Sequence, residues 1–142
     1  MSTELKFIAG KLGAGTAPKL LCSKEVTFTV AGNTTVSDSS FIMPAGSTLH
    51  SVTLETPTAI SGTPTTCNVR FGTAAAGQQV VADVDCKAQG HIAATIVAAF
   101  DKVGTAAAAD TTLFGQCVTS GGTASAGTIT AIINYAAPAP VY

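Results

Sequence analysis

Few side chains here could do acid–base or nucleophilic chemistry, and none sits in a spacing that such chemistry uses. There are two histidines, His50 and His91. They lie far apart and in no metal-ligand pattern. His50 alternates with Val52 and Leu54, which would put it on the same strand face, buried or at an interface. A structural role is expected for both histidines, although either could act as a pH-sensitive interface group. Asp83 and Asp85 flank Val84 and would share one face of an extended segment. Such a pair could hold a divalent cation or divide the roles of acid and base. No glycine-anchored calcium loop or downstream bidentate Glu accompanies them, so solvated turn charges are the expectation.

The cysteines, Cys22, Cys67, Cys86 and Cys117, are widely spread with no CxxC. Zinc ligation and dithiol redox chemistry are therefore unsupported. Cys67 alternates with Val69 and Phe71 as a small buried hydrophobe would, and free buried thiols are the favoured state. Gly10 to Gly15 resembles a phosphate loop only in its glycines. Lys11 is followed by Leu12 rather than Ser or Thr, and Pro18 stands where a GxGxxG motif needs its third glycine. No Ser lies in a Gly-x-Ser-x-Gly elbow. The residues point away from an enzyme, and they imply no cofactor and no metal.

The elements that would carry these residues are strands. The 142 residues suffice for one core. Hydrophobic residues make up 46% and charged residues 11%, against about 25% charged in an average domain. Much of the surface must then be Thr, Ser, Asn, Gly and Ala, or be covered by a partner. Residues 1–24 carry Lys6, Lys11, Lys19 and Lys24 against Glu4, a net +3. Residues 25–142 carry three cations against seven carboxylates, a net −4. A basic arm thus precedes an acidic body that lacks the dense basic stripe of a nucleic-acid binder. The N-terminus reads as lacking a signal peptide, and no stretch approaches the roughly 20 apolar residues of a membrane-spanning helix.

The arm, residues 1–24, is rich in glycine and small residues. From Glu25 the pattern turns to period two: Val26, Phe28 and Val30 alternate with Thr27 and Thr29. Phe41-Ile42-Met43 is a short strand stopped by Pro44. Residues 48–56 and 65–72 alternate again, and Val80-Val81 opens another strand. Residues 90–100 fit strand or helix, with strand favoured by Thr95, Ile96 and Val97. Residues 112–119 and 128–135, separated by Gly121-Gly122 and Gly127, read as an antiparallel hairpin. About eight short strands without a confident helix predict an all-β antiparallel β-sandwich or small barrel over residues 25–142.

Several segments carry a resemblance. They are Phe41-Ile42-Met43-Pro44-Ala45-Gly46-Ser47, Val52-Thr53-Leu54, Thr58-Ala59 and Val69-Arg70-Phe71-Gly72-Thr73-Ala74. The last is Gly122-Thr123-Ala124-Ser125-Ala126-Gly127-Thr128-Ile129, running into Ile133-Asn134-Tyr135. Together they span roughly residues 25–136, and their order resembles bacteriophage capsid decoration (cement) proteins with a jelly-roll-like sandwich. The resemblance implies a homotrimer on the outer surface of a virion, made in the host cytoplasm, with the major capsid protein as partner and no nucleic acid or membrane contact. It also implies that the extended N-terminal arm anchors to the shell. Leu5, Lys6, Phe7, Ile8, Lys11, Leu12, Lys19, Leu20 and Leu21 are the candidate anchor residues. The alternative is a tail-fibre or head-fibre module that binds a host receptor through loops 56–66 and 101–111. An aromatic content of 6% and the absence of Trp weaken that alternative.

Overall fold

The computed structural model describes residues 19–30, 36–100, 102 and 106–138. Among them there are ten strands and no helix. Strand β1 (Lys19–Thr29) pairs with β10 (Thr128–Pro138), which pairs with β3 (Thr48–Thr56), which pairs with β7 (Gly90–Ala94). The second sheet runs β2 (Val36–Met43), β8 (Thr111–Ser120), β5 (Thr66–Gly72) and β6 (Val81–Asp85). The short β4 (Ser61–Gly62) and β9 (Ala124–Ala126) form a separate pair. Every pairing is antiparallel. This interleaving of two four-stranded sheets is a jelly roll, the all-β antiparallel sandwich expected from the sequence.

Alternation in the sequence decides which face of each strand is buried. Val26, Phe28 and Val30 are buried, and so are Cys67, Val69 and Phe71 on β5. Leu113 and Cys117 on β8, and Ile129, Ala131 and Ile133 on β10, complete the inner faces. Phe28 of one sheet meets Phe71 of the other edge to face, with ring centroids 6.0 Å apart at 67°. Gly115 lies between them. A Cβ there would fall 2.6 Å from the Phe71 ring and 2.7 Å from the Phe28 ring.

Three expectations differ from what the chain does. First, β1 begins at Lys19, inside the predicted arm and ahead of the 24/25 boundary. The hydrogen-bonding partner of residues 19–24 is β10, whose strand length was underestimated because Ala136 and Ala137 carry no apolar alternation. Second, β8 and β10 are not a hairpin. Each is already flanked on both sides, β8 by β2 and β5, β10 by β1 and β3. The glycine-rich residues 121–127 instead carry the chain from one sheet to the other, with β9 clipped to β4 on the way. Gly121 makes this possible with a φ of +76°. Third, the strand expected over residues 90–100 stops at Ala94. Beyond it the chain crosses towards the other sheet, where Ile96 bridges Val81.

If the two rings close over Gly115 as described, Gly115→Ala should lower stability by roughly 1–3 kcal/mol through overpacking. Urea unfolding checks this, and an unchanged midpoint with an unchanged slope would contradict the contact.

Candidate functional site

Of the titratable residues singled out in the sequence, His91, Asp83 and Asp85 help to hold strands together. His50 is exposed, not on the face of Val52 and Leu54. The pairing of β10 with β3 passes from Asn134 opposite Ser51 to Tyr135 opposite Leu49. This β-bulge skips His50 and turns Leu49 inward in its place. His91 lies on β7 directly opposite Glu55 of β3, with Nδ1 to Oε1 at 2.9 Å. Both border an open cleft of about 300 Å³ together with Thr56, Pro57, Gln89 and Gly90. His50 and Glu55 are five positions apart on one strand, about 17 Å, so the two histidines do not converge.

Asp83 and Asp85 are not solvated turn charges. Asp83 takes Arg70 in a two-point grip, Nε to Oδ1 at 2.6 Å and Nη2 to Oδ2 at 3.0 Å. Across the same face Gln116 Nε2 donates to Asp38 at 2.9 Å. Gln116 stands opposite both Asp38 and Arg70 in the ladders, so a polar row crosses the sheet from β2 to β6 and fixes its register. Asp85 Oδ1 accepts from the backbone N–H of Cys67 at 3.0 Å and of Lys87 at 3.1 Å. Among the described residues no three of His, Cys, Asp and Glu come together as metal ligands.

All four thiols are free, and Cys67, Cys86 and Cys117 are buried in the core. Burial pushes Cys117 up to about 12, with Cys67 and Cys86 adding to it. Cys86 is also pushed up to about 12, first by burial and then by Asp85 and Cys67. These are protonated packing groups, poor nucleophiles at neutral pH. Cys22 on β1 is only half-buried.

The surface feature that stands apart is one edge of the sandwich. β1 and β2 are the edge strands on the same side, and they touch each other. Among the described residues the large exposed hydrophobics are Leu20 (51%), Leu21 (75%) and Ile42 (58%), and all three lie on these two strands. From Lys19 to Glu25 β1 is exposed on both faces except at the half-buried Cys22, because the inner-face row reaches the core only at Val26. Leu20 and Leu21 point to opposite sides of the strand and make it apolar on both. Tyr135 and Phe41 close the core behind them, with centroids 5.2 Å apart. The opposite edges, β6 and β7, are five residues each and present Asp83, Asp85 and His91.

The fold is that of chains in phage capsids. A chain in the capsid of Ralstonia phage GP4 is 18% identical, with 91% of this chain and 90% of that one covered at a TM-score of 0.57. One in the cyanophage Pam1 capsid asymmetric unit is 17% identical, covering 89% and 90% at 0.63. One in the acidic stable capsid of Helicobacter pylori bacteriophage KHP30 is 14% identical, covering 87% and 97% at 0.53. The likeness is one of fold. No family model matches the chain, and no curated protein does.

Of the anchor residues expected from the sequence, Lys19, Leu20 and Leu21 sit on the exposed start of β1. Leu5, Lys6, Phe7, Ile8, Lys11 and Leu12 lie outside the described residues. Ile42 was not anticipated as part of this edge. Its position between Phe41 and Met43, both buried, was the signal that it faces outward.

The thiols give a pH test. The folded state holds Cys86 and Cys117 protonated up to about 12, whereas their ordinary value is 9.0. Their contribution is present in full below pH 9.0 and is lost as pH climbs from there towards 12. A Cys86→Ala, Cys117→Ala variant should therefore be less stable at pH 7 but decline more gently above pH 9. Urea titrations of both proteins at several pH values compare the slopes.

Proposed function

We propose that this chain is a structural component of a phage particle that binds the outer surface of the shell and stabilises it. The observation that carries the reading is that, among the described residues, the large exposed hydrophobics Leu20, Leu21 and Ile42 all lie on the β1–β2 side. The likeness of fold to chains of three phage capsids supports a place in the virion. Coverage of about nine-tenths of both partners in each comparison makes those chains similar in size to this one.

One-sidedness favours a protein seated on a shell over one that forms the shell. A tile in a closed lattice meets neighbours around its whole perimeter and needs adhesive surface on several sides. Here the β6 and β7 side is short and polar. A protein added from outside needs one adhesive region, and many copies acting together stabilise the assembled state by mass action. The anchor in this reading is Leu20 and Leu21 together with the apolar residues before them, Leu5, Phe7, Ile8 and Leu12. The partner is the major capsid protein. The homotrimer implied by the resemblance belongs to the same proposal.

Quantitative mass spectrometry of purified virions tests the location. Copy numbers comparable to the major capsid protein support the reading, a small fraction moves the chain to a tail or fibre, and absence removes it from the particle. A chain lacking residues 2–18 keeps all of β1 and should fold with an unaltered unfolding midpoint. Its occupancy on stripped capsids should fall at least tenfold, and equal occupancy would remove the anchor role.

A further inference from the structure

We propose that the outward edge of β1 pairs with β1 of a second copy of this chain, antiparallel and centred on Cys22. The inference stands apart from whether the chain sits on a shell. β1 ends the order of its sheet, so its outward row of N–H and C=O groups has no strand partner among the described residues. The register with β10 runs for eleven residues from Lys19 to Thr29 without a bulge, which leaves a long straight template. Such edges are normally shortened, bulged or covered.

Symmetry restricts how two such edges can meet. Two copies joined antiparallel by identical strands are related by a two-fold axis normal to the sheet. The axis keeps every side chain on its own face, so only residues of the same parity can stand opposite each other. With Cys22 opposite Cys22 of the second copy, Lys19 faces Glu25 of the second copy, and Glu25 faces Lys19. Leu21 faces Ser23, and Leu20 faces Lys24, whose aliphatic stem can cover it. Moving the register by two positions in either direction sets Leu21 against Leu21, or Leu21 against Glu25. Moving it further in the second direction sets Lys24 against Lys24 and then Glu25 against Glu25. Only the register centred on Cys22 puts opposite charges face to face, and it does so twice. Among the described residues Lys19, Lys24 and Glu25 make no ion pair within the chain, so their charges are free for this contact.

The position of Cys22 makes the pairing measurable. Directly opposed residues in antiparallel strands have Cα atoms about 4.5–5.5 Å apart, inside the range a disulfide spans. The other three thiols are buried and do not compete. The full-length chain, first reduced and then treated with the thiol oxidant diamide at micromolar concentration, should give a disulfide-linked dimer on non-reducing gels. Peptide mapping should place the link at Cys22, and Cys22→Ser should abolish it. Lys19→Glu and Glu25→Lys should each slow cross-linking several-fold, and K19E/E25K together should return it to the wild-type rate. The single substitutions change net charge in opposite senses, so a general charge effect would move their rates in opposite directions. The absence of a Cys22-linked dimer overturns the proposal. So do single variants that cross-link as fast as wild type, or a double variant that stays slow.

Discussion

The contact between Phe28 and Phe71 across Gly115 holds two sheets in the one relation the rest of the molecule needs. The four thiols are free, so no disulfide ties the two layers, and their inner faces could slide if they were only greasy. An edge-to-face pair of rings with a glycine beneath them has few alternatives at that spacing. Phe28 sits on an edge strand and Phe71 on an interior one, so the contact also fixes where β1 lies over the second sheet. The polar row from Asp38 through Gln116 and Arg70 to Asp83 does the equivalent work within that sheet. Stacking and register are thus set by different interactions, apolar between layers and polar along a surface.

A sandwich fixed in this way still has edges. The two sides of this one are managed differently. β6 and β7 are short, and the pairing of β5 with β6 is irregular between Val69 and Phe71. Those features blunt a side against unwanted pairing. β1 has eleven residues, no irregularity and apolar side chains on both faces. Leaving such an edge open is costly in solubility unless something covers it, so its retention in a chain with 11% charged residues is the strongest physical sign of an assembly surface.

The sheet residues were legible in the sequence because inward and outward positions alternate with period two. That signal found the inner faces of β1, β5 and β10 and, apart from His50, that of β3, and hence the fold class. It could not tell strands that pair from strands that stack, because both present the same alternation. The hairpin expected from residues 112–119 and 128–135 failed for that reason: the two strands belong to different sheets of the sandwich. It was also blind to the bulge at His50, where one skipped residue exchanges the two faces. Of the candidate anchor residues, Lys19, Leu20 and Leu21 were picked out by the basic, apolar character of the arm, and they lie on the exposed start of β1. Their place in a paired strand was hidden by Ala136 and Ala137, which reveal nothing about facing.

The energetics of an N-terminal anchor explain why a preformed strand should follow it. Ordering the backbone of residues 5–12 on a partner costs roughly 1–2 kcal/mol each, about 8–16 kcal/mol together. Full burial of Leu5, Phe7, Ile8 and Leu12 returns roughly 1.5–3 kcal/mol apiece, about 6–12 kcal/mol. The two nearly cancel, so apolar side chains alone hold such a segment only marginally. Net hydrogen bonds of about 0.5–1.5 kcal/mol each to a partner's backbone shift the balance. Leu20 and Leu21, on a strand already paired to β10, would offer their side chains to such a partner with their ordering complete, leaving the outward backbone row of β1 to the second copy. Under the proposed anchoring, such a surface would be weak per copy yet effective when many copies act together.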